Sequence, residues 1–297
     1  MPKILEYALP PVSVHKVDAD GLRVFYRAAG DSIAPVVLLL HGFPSSSFMF
    51  RELMPRLATQ YRVIAPDLPG FGFTEVPAGR HYTYSFDGLA MTTDAFTRAL
   101  GIDRYALYVF DYGAPTGFRL AMAHPARITA IVSQNGNAYE EGLADAWNPV
   151  RQYWAAPTAE NRERVGNSIL TLDGTRWQYT HGVANPDRVP PESYTLDTAL
   201  LERPGIKEIQ LDLFLDYASN VRMYPEFQRY FRQSQPPFLA IWGQHDPFFL
   251  PAGAEAFRRD IPNARIQFLD TGHFALETHV VEIADAMIDF LGARVSR

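Results

Sequence analysis

Residues 106–117 read Ala106-Leu107-Tyr108-Val109-Phe110-Asp111-Tyr112-Gly113-Ala114-Pro115-Thr116-Gly117. The run up to Phe110 is apolar without alternation, the pattern of a strand covered on both faces. An acidic residue follows at a turn, and a helical pattern of small residues begins at once. A strand that bends directly into a helix holds the elbow residue on a strained backbone at the carboxyl edge of a sheet, and its neighbours must be small. Gly113, Ala114 and Gly117 meet that need, while β-branched Val109 has to be accommodated beneath the elbow. An aspartate ahead of a helix also serves as an ordinary N-cap, so its meaning depends on the rest of the chain.

Outward from this stretch, short apolar runs at 36–40, 62–66, 105–110, 128–133, 238–242 and 265–269 alternate with helical periodicity near 47–59, 86–100, 113–124, 251–259 and 278–292. That alternation predicts an α/β fold with a mostly parallel sheet and crossover helices. A hairpin precedes it, with strands at 13–17 and 22–26 around the turn Asp18-Ala19-Asp20-Gly21. The rhythm stops after Asn135-Gly136-Asn137 and resumes at Pro236-Pro237, so we expect a core domain of residues 1–136 and 233–297 and an inserted helical cap over 137–232. The cap holds seven of the fifteen tyrosines and three of the four tryptophans. Most of these rings are expected to pack it onto the core.

Composition narrows the function. With 47% hydrophobic and 20% charged residues the 297-residue chain is of globular type. A net charge of −6 with no basic block removes the electrostatic footprint of nucleic-acid or anionic-membrane partners. No cysteine is present, which excludes disulfides, thiolate catalysis and Cys-ligated zinc. The longest apolar run, Val36–Leu40, is too short for a membrane span, and the start MPKILEYALPP lacks a signal peptide's apolar stretch, so a cytoplasmic location is expected. The histidines are scattered, and neither metal nor cofactor is expected.

Three further segments give the elbow its meaning. His41-Gly42-Phe43-Pro44 follows the strand at 36–40, Gly243-Gln244-His245-Asp246-Pro247-Phe248 follows that at 238–242, and Asp270-Thr271-Gly272-His273-Phe274 follows that at 265–269. Together with Asp67-Leu68-Pro69-Gly70-Phe71-Gly72, they make residues 22–297 resemble the α/β-hydrolase fold family, with an aspartate where many members carry serine. The resemblance implies Asp111 as nucleophile, Asp246 as the triad acid, His273 as the base, and the N–H groups of Phe43 and Tyr112 as an oxyanion hole. Glu140 stands where some relatives place the acid.

A carboxylate is ionised at neutral pH without help from a base, and it suits displacement at saturated carbon, leaving an alkyl ester that a His-activated water hydrolyses. The segments resemble epoxide hydrolases and haloalkane dehalogenases. An epoxide needs a proton for the departing oxygen, which the family takes from cap tyrosines; the resemblance points to Tyr217 and, near the first such position, Tyr153, with Tyr179 in reserve. Dehalogenases place a tryptophan after the nucleophile and often read HGNP in the loop, whereas this chain has Tyr112 and HGFP. Fluoroacetate-type relatives place arginines where Tyr112 and Pro115 stand, which disfavours halo-acids unless Arg151 or Arg176 substitutes. The expected activity is hydrolysis of a small apolar epoxide with water, with haloalkane hydrolysis as the alternative and a non-catalytic receptor as the least favoured.

Overall fold

The computed structural model describes residues 9–295, with side chains through residue 292. Residues 1–8 of the opening segment lie outside the described residues.

Each apolar run forms a strand: after the hairpin β1 (Ser13–Ala19) and β2 (Leu22–Ala29) come β3 (Val36–Leu40), β4 (Arg62–Pro66), β5 (Tyr105–Phe110), β6 (Ile128–Gln134), β7 (Phe238–Gly243) and β8 (Arg265–Leu269). They make one sheet in the order β1-β2-β4-β3-β5-β6-β7-β8, in which β1–β2 and β2–β4 are antiparallel and the rest parallel. Alternate residues feed opposite apolar layers. Leu38, Leu40, Leu107 and Val109 pack to one side and Val37, Leu39, Tyr108 and Phe110 to the other. Period-2 alternation of apolar on apolar is what a sheet covered on both faces requires.

The helices are α1 (Leu53–Leu57), α2 (Phe86–Ala99) and α3 (Gly113–Ala123), then α4 (Asn148–Ala155), α5 (Ala159–Ile169), α6 (Leu172–Thr180), α7 (Pro191–Leu201) and α8 (Ile206–Ser234) between β6 and β7, and finally α9 (Pro251–Asp260) and α10 (Leu276–Val295). Helix α1 is shorter than the run 47–59 predicts. Pro55 lacks an N–H and its ring excludes the Arg51 carbonyl, while Asp67 Oδ1 accepts the Ser47 N–H at 2.7 Å and holds Ser47–Phe50 as a separate 3₁₀ turn. No helix among the described residues is long and apolar enough to cross a membrane.

Helix α8 ties the inserted helices to the core. Arg119 on α3 donates to Asn220 Oδ1 at 2.7 Å, Asp216 accepts the Phe86 N–H at the start of α2 at 2.8 Å, and Phe227 and Phe231 pack on Phe118.

The close approach of α3 to the sheet depends on Gly113, where a methyl group would overlap the backbone carbonyl of Leu40. Backbone cannot yield as a flexible side chain can, so Gly113→Ala is expected to destabilise the protein by roughly 1–3 kcal/mol. A urea melt reads it directly, and an unchanged midpoint would mean that β3 and α3 have slack absent from this structure.

Candidate active site

Asp111 follows β5, near the middle of the sheet, with φ of +47°, in the left-handed region. Such a conformation costs a non-glycine residue about 1–2 kcal/mol, and it turns the carboxylate out over the carboxyl ends of the strands. Gly42 makes room for it, since a side chain there would overlap the Asp111 carboxylate. Because β3 lies beside β5, the loop after β3 brings the Phe43 N–H to Asp111 Oδ1 at 2.7 Å. The Tyr112 N–H lies close enough to favour the charged form of the carboxylate.

The Phe43 loop is pinned from beneath. His41 Nε2 accepts the Leu68 N–H at 2.9 Å, so the ring proton resides on Nδ1 and points to the Gly42 carbonyl, 3.1 Å away. Burial lowers the His41 pKa and keeps this ring neutral. Asp67, at the head of the Asp67–Gly72 segment, accepts the N–H groups of Ser47 and Phe73 at 2.7 Å each.

From the loop after β8, His273 places Nδ1 2.7 Å from Asp246 Oδ2 and Nε2 3.9 Å from Asp111 Oδ2. Nε2 has no hydrogen-bond partner. Asp246, after β7, accepts the Phe248 N–H at Oδ1 and the Asn135 amide at Oδ2, each at 2.7 Å. Glu140 lies exposed in a short 3₁₀ turn and does not take the acid position.

Asn135 is a residue the sequence reading passes over, noting it only as the point where the strand–helix rhythm stops. It has φ of +48°, and its Oδ1 accepts the Gly243 N–H at 2.9 Å while Nδ2 reaches Asp246. Gln134 donates to the His273 carbonyl at 3.0 Å and accepts from Tyr108 at 2.9 Å. The signal available in the sequence was an Asn-Gly pair at the end of the strand next to the one that carries the acid.

Burial drives the electrostatics. Desolvation pushes the Asp111 carboxyl up to about 6, against the pull of His273 and of the Phe43 and Tyr112 N–H groups. For His273, burial opposes the imidazolium, but the charge and hydrogen bond of Asp246, with Asp111 beyond, outweigh it and raise the pKa above the usual imidazole value.

Asp111 and His273 open onto a narrow cavity walled mainly by Phe43, Trp147, Val150, Ile169, Phe214 and Phe248, with Tyr112 and Gln178 as its further polar residues. No arginine or lysine lies in the wall. Arg151 is turned to the Leu143 carbonyl and Asn148, and Arg176 is exposed.

The structure sets the expected tyrosines in different surroundings. Tyr153 is not in the wall: its hydroxyl is held by Arg162 at 2.8 Å, which in turn pairs with Glu208 and Asp212 on α8. Tyr217 also stands outside the wall, packed against Trp147 and Tyr112 with ring centroids at 4.4 and 5.6 Å. Its hydroxyl is buried beside the Tyr224 hydroxyl, and burial, reinforced by Tyr224 and Asp111, raises its pKa well above the usual tyrosine value. Tyr179 stacks on Phe274 at 3.7 Å and donates to Asp197 at 2.6 Å, so its hydroxyl is already engaged.

A nucleophile-type elbow at the sheet centre, with backbone donors from one neighbouring strand and a His–Asp pair from two others, defines a hydrolase of the α/β class. The sequence profile of the alpha/beta hydrolase fold matches residues 35–280, and the chain belongs to that family. It is 50% identical over 279 residues to an uncharacterized hydrolase of Saccharomyces cerevisiae, covering 92% of this chain and 95% of that one. It is 27% identical over 277 residues to a haloalkane dehalogenase of Psychrobacter cryohalolentis, covering 91% and 88%. The solved epoxide hydrolase CorEH shares the fold with a TM-score of 0.78 at 19% identity, over 95% of this chain and 99% of that one.

Replacing Asp246 by Asn removes the charge that raises the His273 pKa most but leaves burial in place. The His273 pKa should then fall, because burial remains while the larger of its two raising charges is gone. Imidazole NMR shifts against pH measure this, and an unchanged pKa would show that Asp246 does not govern the ring.

Proposed function

We propose that this chain hydrolyses small apolar epoxides to vicinal diols through an ester on Asp111. The observation that carries the reading is the division of labour within one carboxylate. Oδ1 is held by the Phe43 N–H, while Oδ2 faces His273 at a distance too long for a hydrogen bond. The free oxygen attacks carbon, and the held oxygen becomes the ester carbonyl, already seated among amide donors.

In the first step an Asp111 Oδ2–carbon bond forms, the ring carbon–oxygen bond breaks, and its electron pair leaves on oxygen, which takes a proton from a tyrosine hydroxyl. Tyr217 is the cap tyrosine suited to this: buried, kept neutral, its hydroxyl beside that of Tyr224, and near enough to Asp111 to feel its charge. Its ring has to turn past Trp147 to meet substrate. In the second step His273 takes a proton from water as the water oxygen attacks the ester carbonyl carbon. Collapse expels the diol oxygen, which takes that proton back, and the second water proton passes from the regenerated carboxyl to the tyrosinate. Esterification removes the Asp111 charge that helps raise the His273 pKa, so the imidazole gives up its proton more readily and is free to accept one when water must be activated.

The donors that a departing halide would need support the epoxide reading over the dehalogenase reading. Phe43 and Tyr112 bring no side-chain N–H, and the Trp147 N–H is engaged by the Phe248 carbonyl at 3.1 Å, which leaves Gln178 as a single side-chain N–H donor in the wall where a halide site would use two. Residues 137–232 act in this proposal as a cap that closes an apolar, water-poor chamber over the core of residues 1–136 and 233–297. Asp111, Asp246, His273, Tyr217 and the Phe43 and Tyr112 amides do the chemistry, and no cofactor takes part.

Intact mass of His273→Ala after incubation with an epoxide panel should show a gain equal to the whole substrate. A gain equal to a haloalkane minus hydrogen halide would instead assign a dehalogenase, and no adduct from either panel would count against covalent catalysis. The alkylation rate should fall about tenfold per pH unit below about 6, as the Asp111 carboxylate is protonated. A flat acid limb would contradict the assignment of Asp111 as the attacking group.

A further inference from the structure

Gln178 on α6 is 3% exposed and lies in the wall of the cavity that holds Asp111 and His273. Its side-chain Nε2 has no hydrogen-bond partner. Buried amides are nearly always paired, and leaving one unpaired costs more than replacing it by an apolar group of the same shape. A donor kept in that condition inside a reaction cavity is poised for an acceptor that arrives with the substrate.

The frame around Gln178 is rigid. The next residue, Tyr179, stacks on Phe274 beside His273 and donates to Asp197, and just beyond α6 the His181 carbonyl sits so close to Gly272 that a side chain there would not fit. The amide is therefore fixed to the loop that carries the base. Among the other polar side chains in the wall, the Trp147 N–H is engaged by Phe248, Asp111 is a carboxylate, and His273 is oriented by Asp246, while the Tyr112 hydroxyl, like Gln178, is buried without a partner. Tyr153, expected from the sequence as one of two donors to a departing oxygen, is held away by Arg162.

The geometry points to Gln178 as a substrate-specificity residue that donates a hydrogen bond to the oxygen of the substrate. This rests on the epoxide reading for its substrate class, but its test does not require turnover. The recognised ligand is an apolar molecule with an acceptor oxygen that itself carries no proton, and the amide holds that oxygen while Tyr217 supplies the proton.

The experiment measures dissociation constants for a matched, unreactive pair, a phenyl-substituted tetrahydrofuran and phenylcyclopentane, on the wild-type protein and on Gln178→Met. The wild type should prefer the ether by roughly tenfold, and Gln178→Met, of similar volume but without the amide, should bring the ratio to about one. Equal affinities in the wild type, no ether binding, or a preference that survives in Gln178→Met would overturn the proposal. Thermal unfolding of the free proteins separates a packing role: Gln178→Met should melt higher by roughly 2 °C because an unpaired donor is gone, whereas a fall would show that the amide serves the fold. Ether preference without a covalent epoxide adduct would leave the assignment of Gln178 standing and remove the epoxide hydrolase reading.

Discussion

The site depends on the hydrogen bond between the Phe43 N–H and Asp111 Oδ1. It joins two loops that leave adjacent parallel strands, and it holds an aspartate in a left-handed conformation with its carboxylate almost fully removed from water. An isolated buried carboxylate is costly. Here the cost is met by two backbone donors and a nearby imidazole, and it still leaves the carboxyl with a pKa raised to about 6. That compromise keeps the group ionised near neutrality while sparing one oxygen from any partner.

Everything around this bond restricts motion. Gly42 and Gly113 let backbone and carboxylate approach within distances that any side chain would prevent. His41 and Asp67 fix the oxyanion loop, and Asn135 fixes Asp246 against β7. The strand order does the rest, since β3, β6, β7 and β8 deliver their loops to one edge of the sheet, the usual place for ligands in open α/β folds.

Much of this was legible in the sequence for a local reason. Buried parallel strands are short apolar runs, and the residues that follow them, Phe43, Asp111, Asp246 and His273, fall at the same edge once the runs are recognised. Asn135 belongs to the same logic but was hidden because its role is to hold a carboxylate more than a hundred residues away. Tyr153 is a different case. Helical spacing places Tyr153 on a face of α4, but which way its hydroxyl turns is decided by Arg162 and by acidic residues on α8, contacts that no local pattern encodes. Gln178 was likewise invisible, because a glutamine in a helix carries no signal until the absence of a partner for its amide is seen.

The central claim is that Asp111 itself becomes esterified, in contrast to acting as a base for water. Multiple turnover in water labelled with heavy oxygen, followed by mass analysis of the peptide containing Asp111, tests it most directly. An ester cleaved at its carbonyl carbon predicts that solvent oxygen enters the Asp111 carboxylate and reaches product only in later cycles. Labelled product from the first turnover, with an unlabelled Asp111 peptide, would contradict the account.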